Sequence, residues 1–421
     1  MLLIFEAVII GLLIFDYRLN FYRLSPFSAI SVPYAVLIPL NNLVAVKYGF
    51  YSISDNVIIM ELSALICFFI GTVISRVMCE NTLKKGVKSS KLGYRKIANY
   101  KVDKIYRYCS IVIGIEVLRI IYIVLAHGIG YFFMPKNEGL ILKGPLGHLL
   151  LTIYPLLPIL FFTWLNDKKQ KRYLMLCLLG ALVLFSSLIK YHVIGLMVLM
   201  FLFVCMECKQ YLYKGIIIII ACACAFFILN YSITFMYRKI NVGSTFYFAH
   251  LWKYLAGSLI YNDIIFTKGL RVGLSEFYKL GRIFFALPNM FIKKIFGNML
   301  FSEIEDTQFM LVSSIGESGN VVDFIGYLFP SKGDIFSMIG FGVLMIVFGF
   351  IVNFAYIRSI NNINEFVLPI SVVITFFCFL SFFAVYGGLI PPWEILVWSL
   401  IMPKLFYKHR KYKLKIGNLN I

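Results

Sequence analysis

Hydrophobic residues occur along this chain in long unbroken runs separated by short polar breaks. The runs cover 2–16, 26–46, 57–79, 108–126, 146–165, 174–190, 192–207, 215–236, 336–357, 366–386 and 392–406. About 20 apolar residues suffice to cross the hydrocarbon core of a bilayer. The pattern therefore predicts an all-α polytopic integral membrane protein with about 11 transmembrane helices, the first and last short. Segment 174–207 could form one long helix, but Lys190-Tyr191-His192 at its middle predicts a tight hairpin instead. A lysine at the bilayer centre costs about 2.5–3.5 kcal/mol, and a helix end removes most of that cost. Residues 1–236 would then supply eight helices, 237–335 a large membrane-associated outer loop, and 336–421 three more helices with a basic tail.

Composition agrees. Of 421 residues 61% are apolar and 14% charged, against about 45–50% and about 25% in soluble domains. Mean hydropathy is +0.86. Disorder, collagen and small disulfide scaffolds are excluded. No cysteine falls within 237–335, where a secreted framework would need them, so structural disulfides are not expected. Cys205-Met-Glu-Cys208 reads as helix filler.

The net charge of +20 takes its meaning from position. One alternating set of breaks carries 24 lysines and arginines, including Arg18, Arg23, Lys84–Arg107, Lys168–Arg172 and the tail from Lys404. The opposite short breaks carry only Lys47, Lys136, Lys143 and Lys190. The positive-inside rule places the first set in the cytoplasm, with the N-terminus outside and the C-terminus inside. The basic excess is then a topology signal, and nucleic acid is not expected as a partner. No basic n-region or small-residue cleavage site precedes Asp16, so no cleaved signal is expected.

The outer loop is too greasy for a water-facing domain. Segments Phe246–Tyr261 and Ile283–Phe301 read as amphipathic or interfacial helices, with Lys253, Lys293 and Lys294 facing lipid phosphate. Among its cations, Arg238, Arg271 and Arg282 offer the planar fork that matches phosphate oxygens, and Lys190 sits on the same side of the membrane. Acidic candidates are Glu317 and Asp323, which flank Gly319-Asn320, and His250 lies beside Trp252. Glu303, Glu305 and Asp306 form an acidic cluster expected to stay solvated or to pair with Lys293 and Lys294. Glu116 and Arg119 share a face of the fourth span, Glu61 and Glu6 sit nearer span ends and are expected to snorkel or line a cavity, and Glu394 opens the last helix. No metal-ligand spacing is present.

The stretch Gly319-Asn320-Val321-Val322-Asp323-Phe324-Ile325-Gly326-Tyr327-Leu328-Phe329, followed by Gly333 and an apolar span, resembles a segment of the Wzy-type O-antigen and capsule repeat-unit polymerases. Ser25-Pro26-Phe27-Ser28, the late outer loop and the basic residue Lys190 at an outer turn are similar too. Where the family ends its motif in an acidic residue, Phe and Gly, this chain has Ser331-Lys332-Gly333. The resemblance implies a large multi-span (GT-C-like) glycosyltransferase of the bacterial inner membrane. Such an enzyme transfers glycan from undecaprenyl pyrophosphate to a second lipid-linked repeat unit at the outer face, alongside a flippase and a chain-length regulator. It implies no cofactor: cations stabilise the leaving pyrophosphate, and Glu317, Asp323 or His250 takes the acceptor proton. The alternatives are a flippase for the same lipid-linked sugar and an O-antigen ligase.

Overall fold

The computed structural model describes residues 1–20, 23–79, 100–137, 139–207, 212–238, 243–268, 276–301, 309–330, 335–360, 367–407, 415–416 and 419–420. The fold is all-α apart from very short strands. Helices α1 (Leu2–Leu19), α2 (Pro26–Leu43), α3 (Asp55–Met78) and α4 (Val102–His127) follow the first four apolar runs. The fifth run is broken into α5 (Gly144–Leu151) and α6 (Leu157–Asn166). Pro155 and Pro158 account for the break, because each lacks the N–H of a continuous helix and its ring crowds the preceding turn. Segment 174–207 divides into α7 (Lys171–Phe185) and α8 (Lys190–Glu207). The expected turn is present but lies slightly earlier, at 186–189, where Leu188 adopts φ +58.

Next come α9 (Leu212–Arg238), α10 (Ser244–Thr267), α11 (Glu276–Phe284) and α12 (Ala286–Phe296). A two-stranded hairpin pairs β1 (Met310–Leu311) with β2 (Ser318–Gly319), and α13 (Phe324–Leu328) follows it. The chain ends with α14 (Ile335–Ile360), α15 (Val367–Leu380) and α16 (Ile390–Leu405).

Three helices among the described residues are long and apolar enough to cross a membrane, by length and composition: Asp55–Met78, Val102–His127 and Ile335–Arg358. This gives the chain membrane-protein character. It is fewer than the eleven spans expected, and among the described residues shorter apolar helices are Leu157–Asn166, His192–Met206 and Pro369–Leu380. Helix α4 carries an exposed stripe of Ile111, Ile115, Leu118, Tyr122 and Leu125. A helix of a soluble domain would bury such a stripe.

Helices α3 and α14 pack backbone to backbone. A Cβ at Gly71 would overlap the Ile346 carbonyl, and one at Gly349 would overlap that of Phe68. Asn353 crosses the same interface, donating to the Thr72 carbonyl at 2.8 Å and to the Ser75 hydroxyl at 2.7 Å. Small residues for close approach and amide hydrogen bonds between helices are the two devices that work where the surroundings are apolar.

Helix ends that the charge pattern assigns to one side meet one another. Asp16, at the end of α1, accepts from Ser25 at 2.5 Å and Ser28 at 2.8 Å at the start of α2. Arg76, near the end of α3, joins them through Asn20 at 3.0 Å. Lys101 N–H donates to the Phe406 carbonyl at 2.8 Å, and Arg172 pairs with Asp103 at 2.8 Å. On the opposite side, Trp252 donates to Asn41 at 3.0 Å, Ser54 N–H to Asp263 at 3.0 Å and Tyr51 N–H to the Val312 carbonyl at 3.1 Å. The 43–54 segment, α10 and the β-hairpin are therefore stitched together.

Several expectations change. The Phe246–Tyr261 segment is helical, but α10 is packed into the body, with Ala249, Ala256, Leu259, Ile260 and Tyr261 buried, rather than lying on a surface. The Ile283–Phe301 segment does expose Phe291, Ile295, Phe296 and Leu300 around α12, as an interfacial helix would. Glu61 is fully buried, not snorkelling. Glu116 pairs with Arg119 at 3.4 Å as expected, and Arg119 also donates to the carbonyls of Leu140 and Ile141 at 3.0 Å each. Glu394, read as a helix-start carboxylate, is gripped by His148 Nδ1 at 2.8 Å. Among the described residues the cysteines, Cys205 among them, are not joined in disulfides.

Candidate functional site

Two of the candidate residues, distant in sequence, are brought together. The β-hairpin turns through Gly316 at φ +90, and its backbone is pinned by the Val312 N–H to Glu317 carbonyl bond at 2.8 Å. The Glu317 N–H donates to Ser313 Oγ at 2.9 Å. This fixes the Glu317 side chain against α10. There its carboxylate lies 2.8 Å from Lys253 Nζ and 3.5 Å from His250 Nδ1. All three side chains are partly open to solvent, at 15% for Glu317, 14% for His250 and 22% for Lys253.

On its other edge, His250 Nε2 stands 2.5 Å from the Tyr231 hydroxyl, which in turn donates to Tyr254 at 3.1 Å. The imidazole stacks on Phe246 with centroids 4.7 Å apart and meets Tyr231 edge-on at 4.5 Å. Phe246, His250 and Tyr254 are four apart on α10 and so share one face. Tyr231 comes from α9. The arrangement is a carboxylate, an imidazole and two phenols in series, walled by aromatic rings. An imidazole between a carboxylate and a phenol can take up a proton and rest as imidazolium, with Glu317 compensating its charge and Tyr231 accepting from Nε2–H. Lys253 places a cation at the open side. It was expected to be a headgroup anchor, and the structure makes it the partner of Glu317.

Asp323 lies elsewhere. It is the N-cap of α13, its carboxylate accepting from Gly326 N–H at 2.7 Å, from Tyr34 at 2.9 Å and from Asn262 Nδ2. Gly326 must be glycine, since a Cβ there would overlap the Asn262 amide. The Asp323 side chain is 0% exposed, enclosed rather than open to a substrate. Burial raises its pKa from 3.8 to about 6, against the pull of hydrogen bonds from Asn262, Gly326, Tyr34 and Glu61. Glu61 of α3 therefore meets Asp323 carboxyl to carboxyl. Asn262 and His250 are both on α10, about 18 Å apart at 1.5 Å per residue, so Asp323 and the Glu317–His250 pair form separate sites.

Arg282 belongs with Asp323. Its guanidinium lies 5.1 Å from the Tyr278 ring and beside the Tyr327 hydroxyl, one turn along α13. Burial pushes the Tyr327 hydroxyl pKa up, and Arg282 opposes the shift. The neighbouring Lys279 is buried and donates to the Phe329 carbonyl at 3.0 Å.

The chain matches no family model, no curated protein and no solved structure.

Lys190 begins α8 and Arg238 ends α9, but their side chains, like Arg271, Lys332 and the Glu303–Glu305–Asp306 cluster, lie outside the described residues. Among the described residues no group of three or more His, Cys, Asp or Glu is placed to hold a metal ion. Sequence reasoning named Glu317 and His250 only as alternatives and missed Tyr231, Tyr254, Tyr34 and Asn262 altogether. The i, i+4 spacing of Phe246, His250 and Tyr254 was the available signal for Tyr254. Nothing local could have paired α10 with Tyr231.

Proposed function

We propose that this chain is a polytopic glycosyltransferase of the bacterial inner membrane that polymerises undecaprenyl-pyrophosphate-linked oligosaccharide repeat units at the outer face. The observation that carries the reading is the meeting of Glu317, His250 and Lys253 in an aromatic-walled, partly open site on the outer loop. Polymerisation needs a base for the acceptor sugar hydroxyl and a cation for the leaving pyrophosphate. In this reading His250, backed by Glu317, takes the proton through the Tyr254 and Tyr231 hydroxyls on its Nε2, each phenol passing on one proton as it accepts another, and Lys253 meets the pyrophosphate that leaves the growing chain. The rings of Phe246 and Tyr254 offer apolar faces to pyranose C–H bonds.

The acceptor keeps its own pyrophosphate, one repeat unit away from the hydroxyl that reacts. Arg282, set apart on α11 beside Tyr327, suits that second anion. The grouping of helix ends into a basic side and an aromatic side supports the membrane orientation this requires.

Deleting the gene in its host tests the assignment against its alternatives. Loss of a polymerase leaves lipid A or the cell surface carrying single repeat units. Loss of a flippase removes surface glycan altogether, and loss of a ligase leaves long polymer on the polyprenyl carrier. Either of the last two outcomes would contradict the proposal.

A further inference from the structure

The hairpin that carries Glu317 has a second face. On α2, Val32, Val36, Leu40 and Leu43 form an exposed apolar stripe at spacings of four, four and three residues. The stripe continues off the helix end through the exposed Val44, Val46 and Tyr48. Tyr48 packs on the exposed Phe248 of α10 with centroids 5.0 Å apart. Gly49, at φ +93, brings the chain under the hairpin, where the Ile315 side chain lies over it. Ser314 N–H donates to the Gly49 carbonyl at 2.7 Å, and Phe50 bridges to Ser313. At the hairpin, Phe309, Leu311 and Ile315 are each more than half exposed.

Charge is distributed to match. Between residues 43 and 53 the one charged side chain is Lys47, and between 309 and 319 it is Glu317, which turns away to Lys253 and His250. The hairpin tip Ser313-Ser314-Ile315-Gly316 carries no charge.

We infer that the 309–319 hairpin, with the 43–48 segment beside it, seats in the outer leaflet of the bilayer as an interfacial anchor. Its occupant is lipid. Three features argue for lipid over a protein partner: unbroken continuity with the apolar stripe of a helix, an exposed aromatic pair, Tyr48 and Phe248, of the kind that forms interfacial belts, and a lone lysine able to reach headgroup phosphate. A docking surface for a protein would carry a polar rim with hydrogen-bonding groups. The anchor would set the height of Glu317 above the hydrocarbon core, because only one residue separates it from Ile315. The inference needs membrane residence but none of the sugar chemistry proposed above.

The test uses the full chain in phosphatidylcholine nanodiscs containing an anionic lipid, with tryptophan placed at the tip as Ile315→Trp and, separately, as Leu311→Trp. The emission added over wild type is followed with lipid brominated in its acyl chains and with aqueous iodide. The expected result for both variants is blue-shifted added emission, quenched at least twofold more by brominated lipid than by iodide. Quenching by iodide alone would place the tip in water, and protection from both quenchers would place it against protein, a second copy included. Either result overturns the inference. Because no activity is measured, failure here is distinguishable from failure of the polymerase assignment.

Discussion

The Glu317 carboxylate lies 3.5 Å from Nδ1 of His250, joining the β-hairpin to α10. Each residue alone is ordinary for an outer-loop segment. Together they form a carboxylate-backed imidazole whose far nitrogen reaches Tyr231 at 2.5 Å.

If this pair is the base, removing either member costs rate and leaves the fold intact. Glu317→Gln and His250→Gln should each lower polymerisation by about 10²–10⁴-fold. The double variant should be little worse than the worse single, since the two act as one unit. Initial rates with lipid-linked repeat units, alongside melting curves, check this.

Lys253 is expected to act on the leaving group. A charge-assisted hydrogen bond is worth about 1.5–3 kcal/mol, so Lys253→Met should cut turnover by roughly 10- to 100-fold. Part of that loss would come from freeing Glu317, and Lys253→Arg should recover some of it. Arg282→Ala should mainly raise the KM for the acceptor, with Arg282→Lys an incomplete rescue because the bidentate fork is lost. Steady-state kinetics with donor and acceptor varied separately would distinguish the two.

Asp323 should matter to stability more than to chemistry. Its folded pKa of about 6 lies above its ordinary 3.8, so the protonated carboxyl is favoured in the folded state. The stability this group contributes is complete below about pH 4 and is lost as pH rises through about 6. Hydrogen exchange across 321–329, corrected for intrinsic rates, should therefore slow as pH falls from 7 to 4. Asp323→Asn should flatten that dependence. Asp323→Ala, which removes the cap that Asn would keep, should weaken the start of α13 by about 0.5–2 kcal/mol.

The α3–α14 contact predicts a large effect from a small change. Gly71→Val or Gly349→Val pushes a side chain into the backbone of the facing helix. Overpacking costs about 1–3 kcal/mol or more. A lower melting temperature in detergent checks this, whereas Gly11→Ala, which meets nothing within 4 Å, should leave it nearly unchanged.

Helix content was legible because each apolar run is long enough to nucleate and bury a helix regardless of its partners. The break in 146–165 was legible in principle too, from Pro155 and Pro158, but a hydropathy run averages over prolines. Burial was harder. The aromatic residues of α10 suggested a helix lying on the membrane, yet Ala249 and Ala256 let it pack closely against its neighbours and Trp252 finds Asn41. Glu61, near a span end, read as a residue that snorkels or lines a cavity, and only the fold places Asp323 beside it. Lys253 illustrates the limit most clearly. An anchor and an ion-pair partner have the same local sequence, and the difference is a hairpin carrying Glu317 from far along the chain.

Polymerisation of lipid-linked repeat units with Glu317 and His250 as the base, as proposed above, can be tested in one reaction. Purified protein in nanodiscs should be given undecaprenyl-pyrophosphate-linked repeat units in the presence of EDTA, and the products resolved by length. The wild type should give a ladder of multiple repeats, and Glu317→Gln/His250→Gln protein that still melts cooperatively should give single units. No ladder from the wild type, or a normal ladder from the double variant, would contradict the proposal.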